Sequence, residues 1–203
     1  MISSDLERDP VLRSLNVVRL DRTVFIGVDL GQRASHSAIV VLERFEVMPD
    51  YTDLLRGKGK SKRYVVRQAE RVGLGTPYPD VVQRVKRMVS ALNGDCVLVV
   101  DESGVGVAVV EMMREVGMGC PLLPYVITSG QAVTARSVPR TELVTKLQMM
   151  AQRGELEIAW GCRHREELER ELMHLQLAGG GASGESDDLA LALALACWKA
   201  KIR

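Results

Sequence analysis

The stretch Val24-Phe25-Ile26-Gly27-Val28-Asp29-Leu30-Gly31 decides how the rest of the chain is read. Its β-branched and aromatic residues predict a strand over Val24 to Leu30, which Gly31 ends. A carboxylate, Asp29, sits at the close of an otherwise apolar run. Ser37 to Glu43 follows after a few residues and reads as a second strand. So short a connection suits a hairpin, because a parallel crossover needs about a dozen residues or more. A third strand over Tyr64 to Val72 completes an antiparallel three-strand meander. Upstream, residues 1–22 read as an N-terminal arm with one short helix over Val11 to Leu20, and residues 23–203 as one domain.

Downstream the period changes. Val81, Val85, Met88, Val89 and Leu92 recur at helical spacing behind the start signal Tyr78-Pro79-Asp80. Cys96 to Asp101 is apolar throughout until its final aspartate, as expected of a strand covered on both faces. A helix over Gly106 to Val116 and a strand over Leu122 to Thr128 then make a βαβ unit, so these strands should be parallel. Pro139 opens a further helix, Leu156 to Ala159 is a short strand, and Leu168, Leu172 and Leu175 mark another helix. Gly179 to Gly184 reads as a loop and Asp187 to Lys199 as a last helix. The expected fold is therefore α/β: an antiparallel meander followed by parallel strands in one mixed sheet, flanked by helices.

Composition narrows the function classes. The 203 residues are 46% hydrophobic and 26% charged with a net charge of +1, which excludes a uniformly basic nucleic-acid coat. The longest strongly apolar run, Leu189 to Trp198, is well short of the ~20 residues a membrane span needs. The N-terminus has early acids and no apolar core, so no secretory signal is expected and the expected address is cytoplasmic. Cys96, Cys120, Cys162 and Cys197 stand far apart and form no zinc-knuckle spacing.

Three places carry acids suited to chemistry: Asp29, Asp101 with Glu102 beside it, and the pair Asp187 and Asp188 at the start of the last helix. Each has an ordinary reading. Asp29 could be a turn residue, Ser103 after Asp101 could cap a helix, and Asp187-Asp188 could satisfy a helix dipole. Together they suggest more. A carboxylate on a core strand is costly unless paired or metal-bound. Neighbouring strands lie ~4.8 Å apart, so Asp29 and Asp101 on adjacent strands would nearly touch. Neither strand contains a Lys or Arg to neutralise them, and Mg2+ or Mn2+ is the natural compensator for hard oxygen ligands. Glu102 is expected to point away from Asp101.

These strings also resemble a family. Gly27-Val28-Asp29-Leu30-Gly31 with Ser37-Ala38-Ile39-Val40-Val41 is similar to the first motif of ribonuclease H-like nucleases. Val100 to Gly106, Ile127-Thr128-Ser129-Gly130, Val138 to Val144 and Ser186 to Ala194 resemble, in order, later motifs of the nuclease domain of phage terminase large subunits. The likeness runs from about residue 24 to 199. Ser186 stands where that family commonly has His, and Arg140 where Lys is commoner. The resemblance implies a ribonuclease H-like sheet and a two-metal-ion DNA endonuclease using two Mg2+ or Mn2+ ions. Asp29 would bridge both ions, Asp101 would hold one, and Asp187 or Asp188 the other. It implies double-stranded DNA as substrate. A separate ATPase motor, a small terminase or a portal protein would be partners, and a phage or prophage would encode the chain in its host cell. Gly57-Lys58-Gly59-Lys60-Ser61 is not a P-loop, because position 54 is Leu where the motif needs Gly.

DNA requires cationic contacts. Residues 56–71 hold seven Lys/Arg and one Glu, a local charge of +6. Lys58, Lys60, Lys62, Arg63 and Arg67 of this run, together with Arg140, are the candidate phosphate contacts, and Arg84, Lys86 and Arg87 form a second group. The run is expected to lie beside the aspartates. Competing readings are a Holliday-junction resolvase-like nuclease, an inert packaging or scaffold module of the same fold, and an actin- or sugar-kinase-like ATPase. The last would need a second phosphate motif, and Gly179-Gly180-Gly181 lacks the acid for one.

Overall fold

The computed structural model describes residues 17–31, 35–49, 55–57, 59–177 and 187–202. The meander is formed by β1 (Val17–Asp29), β2 (Ala38–Pro49) and β3 (Ser61–Arg71). Both pairings are antiparallel. β1 begins earlier than the apolar run suggests. Val17 to Leu20 is strand, where the end of a short helix was expected, because it pairs with the far end of β2. The rest of that expected helix, and the Gly179 to Gly184 loop, lie outside the described residues. β2 likewise continues past Glu43 to Pro49.

The second half supplies α1 (Tyr78–Ala91), β4 (Val97–Asp101), α2 (Gly106–Val116) and β5 (Leu122–Thr128). β4 pairs in parallel with both β1 and β5. Two three-residue strands follow: β6 (Ser137–Pro139), which the sequence did not signal, and β7 (Leu156–Ile158), expected over Leu156 to Ala159. Among the described residues the sheet has seven strands in the order β6-β5-β4-β1-β2-β3-β7. Three helices complete the chain: α3 (Arg140–Gln152), α4 (Arg165–Leu177) and α5 (Asp188–Ile202).

Strand alternation divides the core into two layers. Ile26, Val28, Ile39, Leu98 and Val100 face α1 and α2, meeting Val81, Val85, Val109 and Met113. Phe25, Val40, Leu42, Val97 and Val99 face the other way, onto α5 and α3. The Ala-Leu alternation of α5 has the period of a strand, yet it is a helix buried from Asp188 through Trp198. A helix enclosed on all sides needs no polar face, and α5 lies between β1 and β2 on one side and α3 and α4 on the other.

Gly27 makes that enclosure possible. A Cβ there would lie 1.9 Å from the carbonyl oxygen of Ala192 and 3.2 Å from the Cβ of Ala196. Only a glycine lets the α5 backbone come this close to β1. At its other end, Arg44 donates from Nη1 to the Ala200 carbonyl at 2.9 Å, and Arg44 pairs with Thr23 across the sheet. α5 therefore runs antiparallel to β1, and its first turn lies at the Asp29 end.

Candidate functional site

Val28 pairs with Val100 in the parallel β1–β4 register. The next residue on each strand is an aspartate, so Asp29 and Asp101 stand side by side where the two strands end. Asp188 opens α5 at the same end. All three are buried, at 8%, 9% and 7% exposure. The carboxyl ends of parallel strands are where α/β sheets usually bind ligands.

Electrostatics tie the group together. Burial pushes the Asp29 carboxyl well above its ordinary range, and the neighbouring charges of Asp101, Asp188 and Asp187 push it further, while Arg140 pulls it back. Asp101 is held by its own turn: its Oδ1 accepts from the Ser103 backbone N–H at 2.8 Å and from the Ser103 hydroxyl at 2.6 Å. The Ser103 oxygen in turn accepts from the Ile127 N–H at 3.0 Å. Ser103 is thus not a helix cap. The residue before α2 is Val105, with no side-chain cap. A Cβ at Gly106 would lie 2.3 Å from the Asp101 carbonyl oxygen, so that glycine admits the close turn after the second acid. Glu102 is half-buried, and its N–H donates to the Tyr125 carbonyl at 2.8 Å.

The two acids of the last motif diverge. Asp187 pairs with Arg140 at the start of α3, while Asp188 is the more deeply buried of the two. Arg140, expected as a phosphate contact, is thus engaged with an acid of the site. Among the described residues, no group of three or more His, Cys, Asp or Glu side chains is gathered tightly enough to hold a metal ion. Asp101 has an oxygen committed to Ser103, and Asp187 has one committed to Arg140. The donor chemistry nevertheless fits a hard cation, since all the candidates are carboxylates. The four cysteines are free.

Except for its last residue, Arg71, the basic run is not beside these acids, and the register explains why. Asp29 pairs with Ala38, and Ala38 with Arg71, the last residue of β3. Lys62 is nine residues back along that strand, roughly 30 Å away at ~3.4 Å per residue. Lys60 and Arg63 share the distant end, and Lys58 lies outside the described residues. Several of these cations already have partners: Lys62 lies 3.8 Å from Glu46 and Arg67 2.5 Å from Glu43. Arg63 donates to the Gly154 carbonyl at 2.5 Å. In the second group, Arg84 pairs with Glu70, and Lys86 donates to the Gly117 and Met118 carbonyls.

A fourth buried acid near the site was not anticipated. Glu171 on α4 is 6% exposed, pairs with Arg71, and accepts from the Ala190 N–H at 2.9 Å. Burial raises its carboxyl to about 7; Asp188 adds to this, while the Ala190 N–H and Arg71 oppose it. A faint signal was present, since position 171 falls on the Leu168, Leu172, Leu175 stripe.

No protein-family model matches the chain, and no curated protein matches it. Solved structures do resemble it. The nuclease domain of the large terminase subunit of bacterial virus Sf6, in a structure with manganese and beta-thujaplicinol, is 15% identical. That likeness covers 86% of this chain and 87% of that one, with a TM-score of 0.53. RuvC of Thermus thermophilus is 19% identical over 86% of this chain and 91% of that one, with a TM-score of 0.40. The fold is ribonuclease H-like, a mixed sheet with an antiparallel half and a parallel half. Among the described residues, no helix is long and apolar enough to cross a membrane.

Proposed function

We propose that this chain is a divalent-cation-dependent endonuclease hydrolysing DNA phosphodiester bonds, of the type that serves terminase genome packaging. The observation that carries the reading is the meeting of Asp29, Asp101 and Asp188 at one end of the sheet, with Asp29 raised by burial and by the other acids. Such a cluster is self-repelling and calls for cations. Asp29, at the centre, would contact both ions, with Asp101 and Asp188 holding one each. Asp187, paired with Arg140, would have the lesser part. Mg2+ or Mn2+ bound there would neutralise these charges and stabilise the charge that develops on the phosphodiester as it is cleaved. Ser103 keeps Asp101 in one orientation, and Arg140 favours the charged form of Asp29 and would offer a cation to the phosphate backbone. The resemblance of its acidic motifs to those of terminase nucleases supports packaging as the setting.

Nicking of supercoiled plasmid tests this. The wild type should cleave in Mn2+ or Mg2+. Asp29→Asn, Asp101→Asn and Asp188→Asn should each lose activity by about a thousandfold or more, since these contacts act in the transition state. Asp187→Asn should lose far less. Equal, negligible cleavage by wild type and Asp29→Asn with both metals would overturn the reading. A marked preference for four-way junctions over linear duplex would move it to a resolvase.

A further inference from the structure

We propose that Glu171 is a positioning residue of this acidic site, holding the first turn of α5, and with it Asp188, against the ends of β1 and β4. The proposal rests on the metal-site reading above and adds a residue from outside the acidic motifs. Ala190 is the third residue of α5, so its N–H is one of the first-turn donors with no partner inside the helix. Ala190 is fully buried, and water cannot serve that donor. The usual supplier is the side chain just before the helix. Here that residue is Asp187, which pairs with Arg140.

The bond to Ala190 comes from another helix. Glu171 Oε2 accepts from the Ala190 N–H at 2.9 Å, and Oε1 pairs with Arg71. A negative group there also suits the positive end of the helix dipole. Arg71 is the residue paired with Ala38, which pairs with Asp29. Arg71, Glu171 and Ala190 therefore tie the first turn of α5 to the same sheet end that carries Asp29. Both Glu171 oxygens are engaged in this tie. Partners that orient metal ligands are commonly worth about 10–100-fold in metal affinity.

The test is Mn2+ binding by the full chain, read from the electron paramagnetic resonance of free Mn2+ well below each variant's melting temperature. Wild type should bind and Asp29→Asn should not. Glu171→Ala should weaken binding about tenfold or more. Two further variants separate reach from charge. Glu171→Asp keeps the charge but is one methylene too short to reach the Ala190 N–H, and should bind as weakly as Glu171→Ala. Glu171→Gln keeps the reach and should stay within about threefold of wild type. If Glu171→Ala fails to fold, the Asp and Gln variants decide. Leu172→Ala, which loosens the same helix without touching the carboxylate, should lower the melting temperature and leave Mn2+ affinity unchanged. The positioning role is overturned if Glu171→Asp binds like wild type while Glu171→Gln does not, or if Leu172→Ala weakens binding as much as Glu171→Ala. Failure of the wild type to bind Mn2+ would instead overturn the metal-site reading, and the positioning role with it.

Discussion

Replacing Gly27 by Ala should separate the two parts of the site without altering a single acid. The new Cβ would sit 1.9 Å from the Ala192 carbonyl oxygen, whereas real Cβ contacts essentially never fall below 3.0 Å. The α5 backbone must therefore retreat from β1 by at least about 1 Å. The obstructing atom is backbone, so trimming a side chain cannot relieve it. Overpacking of this kind costs about 1–3 kcal/mol. For a chain of this size each kcal/mol lowers the melting temperature by roughly 2–4 °C, so a fall of roughly 2–12 °C is expected. Asp188 lies one turn before Ala192 and must move with it, so Mn2+ affinity should fall in parallel. Differential scanning fluorimetry with and without Mn2+ reads both effects. Gly73→Ala is the control, since the nearest atom to a Cβ there is 3.7 Å away. Ala192→Gly added to Gly27→Ala should restore nothing. A Gly27→Ala protein with wild-type melting temperature and Mn2+ response would refute the argument that close helix–strand packing sets the site.

Three other outcomes can be checked. Asp29→Asn removes a buried, mutually repelled carboxylate, so the metal-free variant should melt higher than wild type by the equivalent of about 1 kcal/mol. It should also lose the ~2.7 kcal/mol that a ligand at a hundred times its Kd confers; a lower metal-free melting temperature with the Mn2+ gain intact would contradict this. Glu171 titrates at about 7 in the fold against 4.5 ordinarily. Between those values the unfolded chain holds fewer protons than the folded one, so metal-free stability should fall as pH rises from 4.5 to 7 and level off above. In chelator, Glu171→Gln should flatten that slope, and an unchanged slope would count against the assignment. Ser103→Ala should cost about 1 kcal/mol, because Asp101 and the Ile127 N–H each lose a bond. It should also reduce plasmid nicking about tenfold or more, and full activity would show that Asp101 needs no such support.

Much of the fold could be read locally. An apolar run ending in an aspartate is a local pattern, so both β1 and β4, and the acids closing them, were evident. So was the helix that Asp187 and Asp188 introduce. Patterns too short or too dependent on a partner were not. β6 is three residues long, too brief for any period. Val17 to Leu20 is strand because β2 extends far enough to pair with it. Glu171 belongs to a helix whose sequence gives no reason for a buried acid, and its reason lies in the first turn of a different helix.

What the sequence determined by itself was the set of acids and the order of elements that bring them together, because residue type and period are properties of short stretches. What only the tertiary structure decided was which of those groups share a place. Asp188 rather than Asp187 lies buried at the strand ends because α5 is seated on Gly27 and held by Glu171, and helix rotation is a property of packing. The basic run leads into and includes β3, the last strand of the meander, and it begins at the far end of the sheet. β3 returns antiparallel to β2, and only its last residue, Arg71, reaches the end of the sheet where the acids stand.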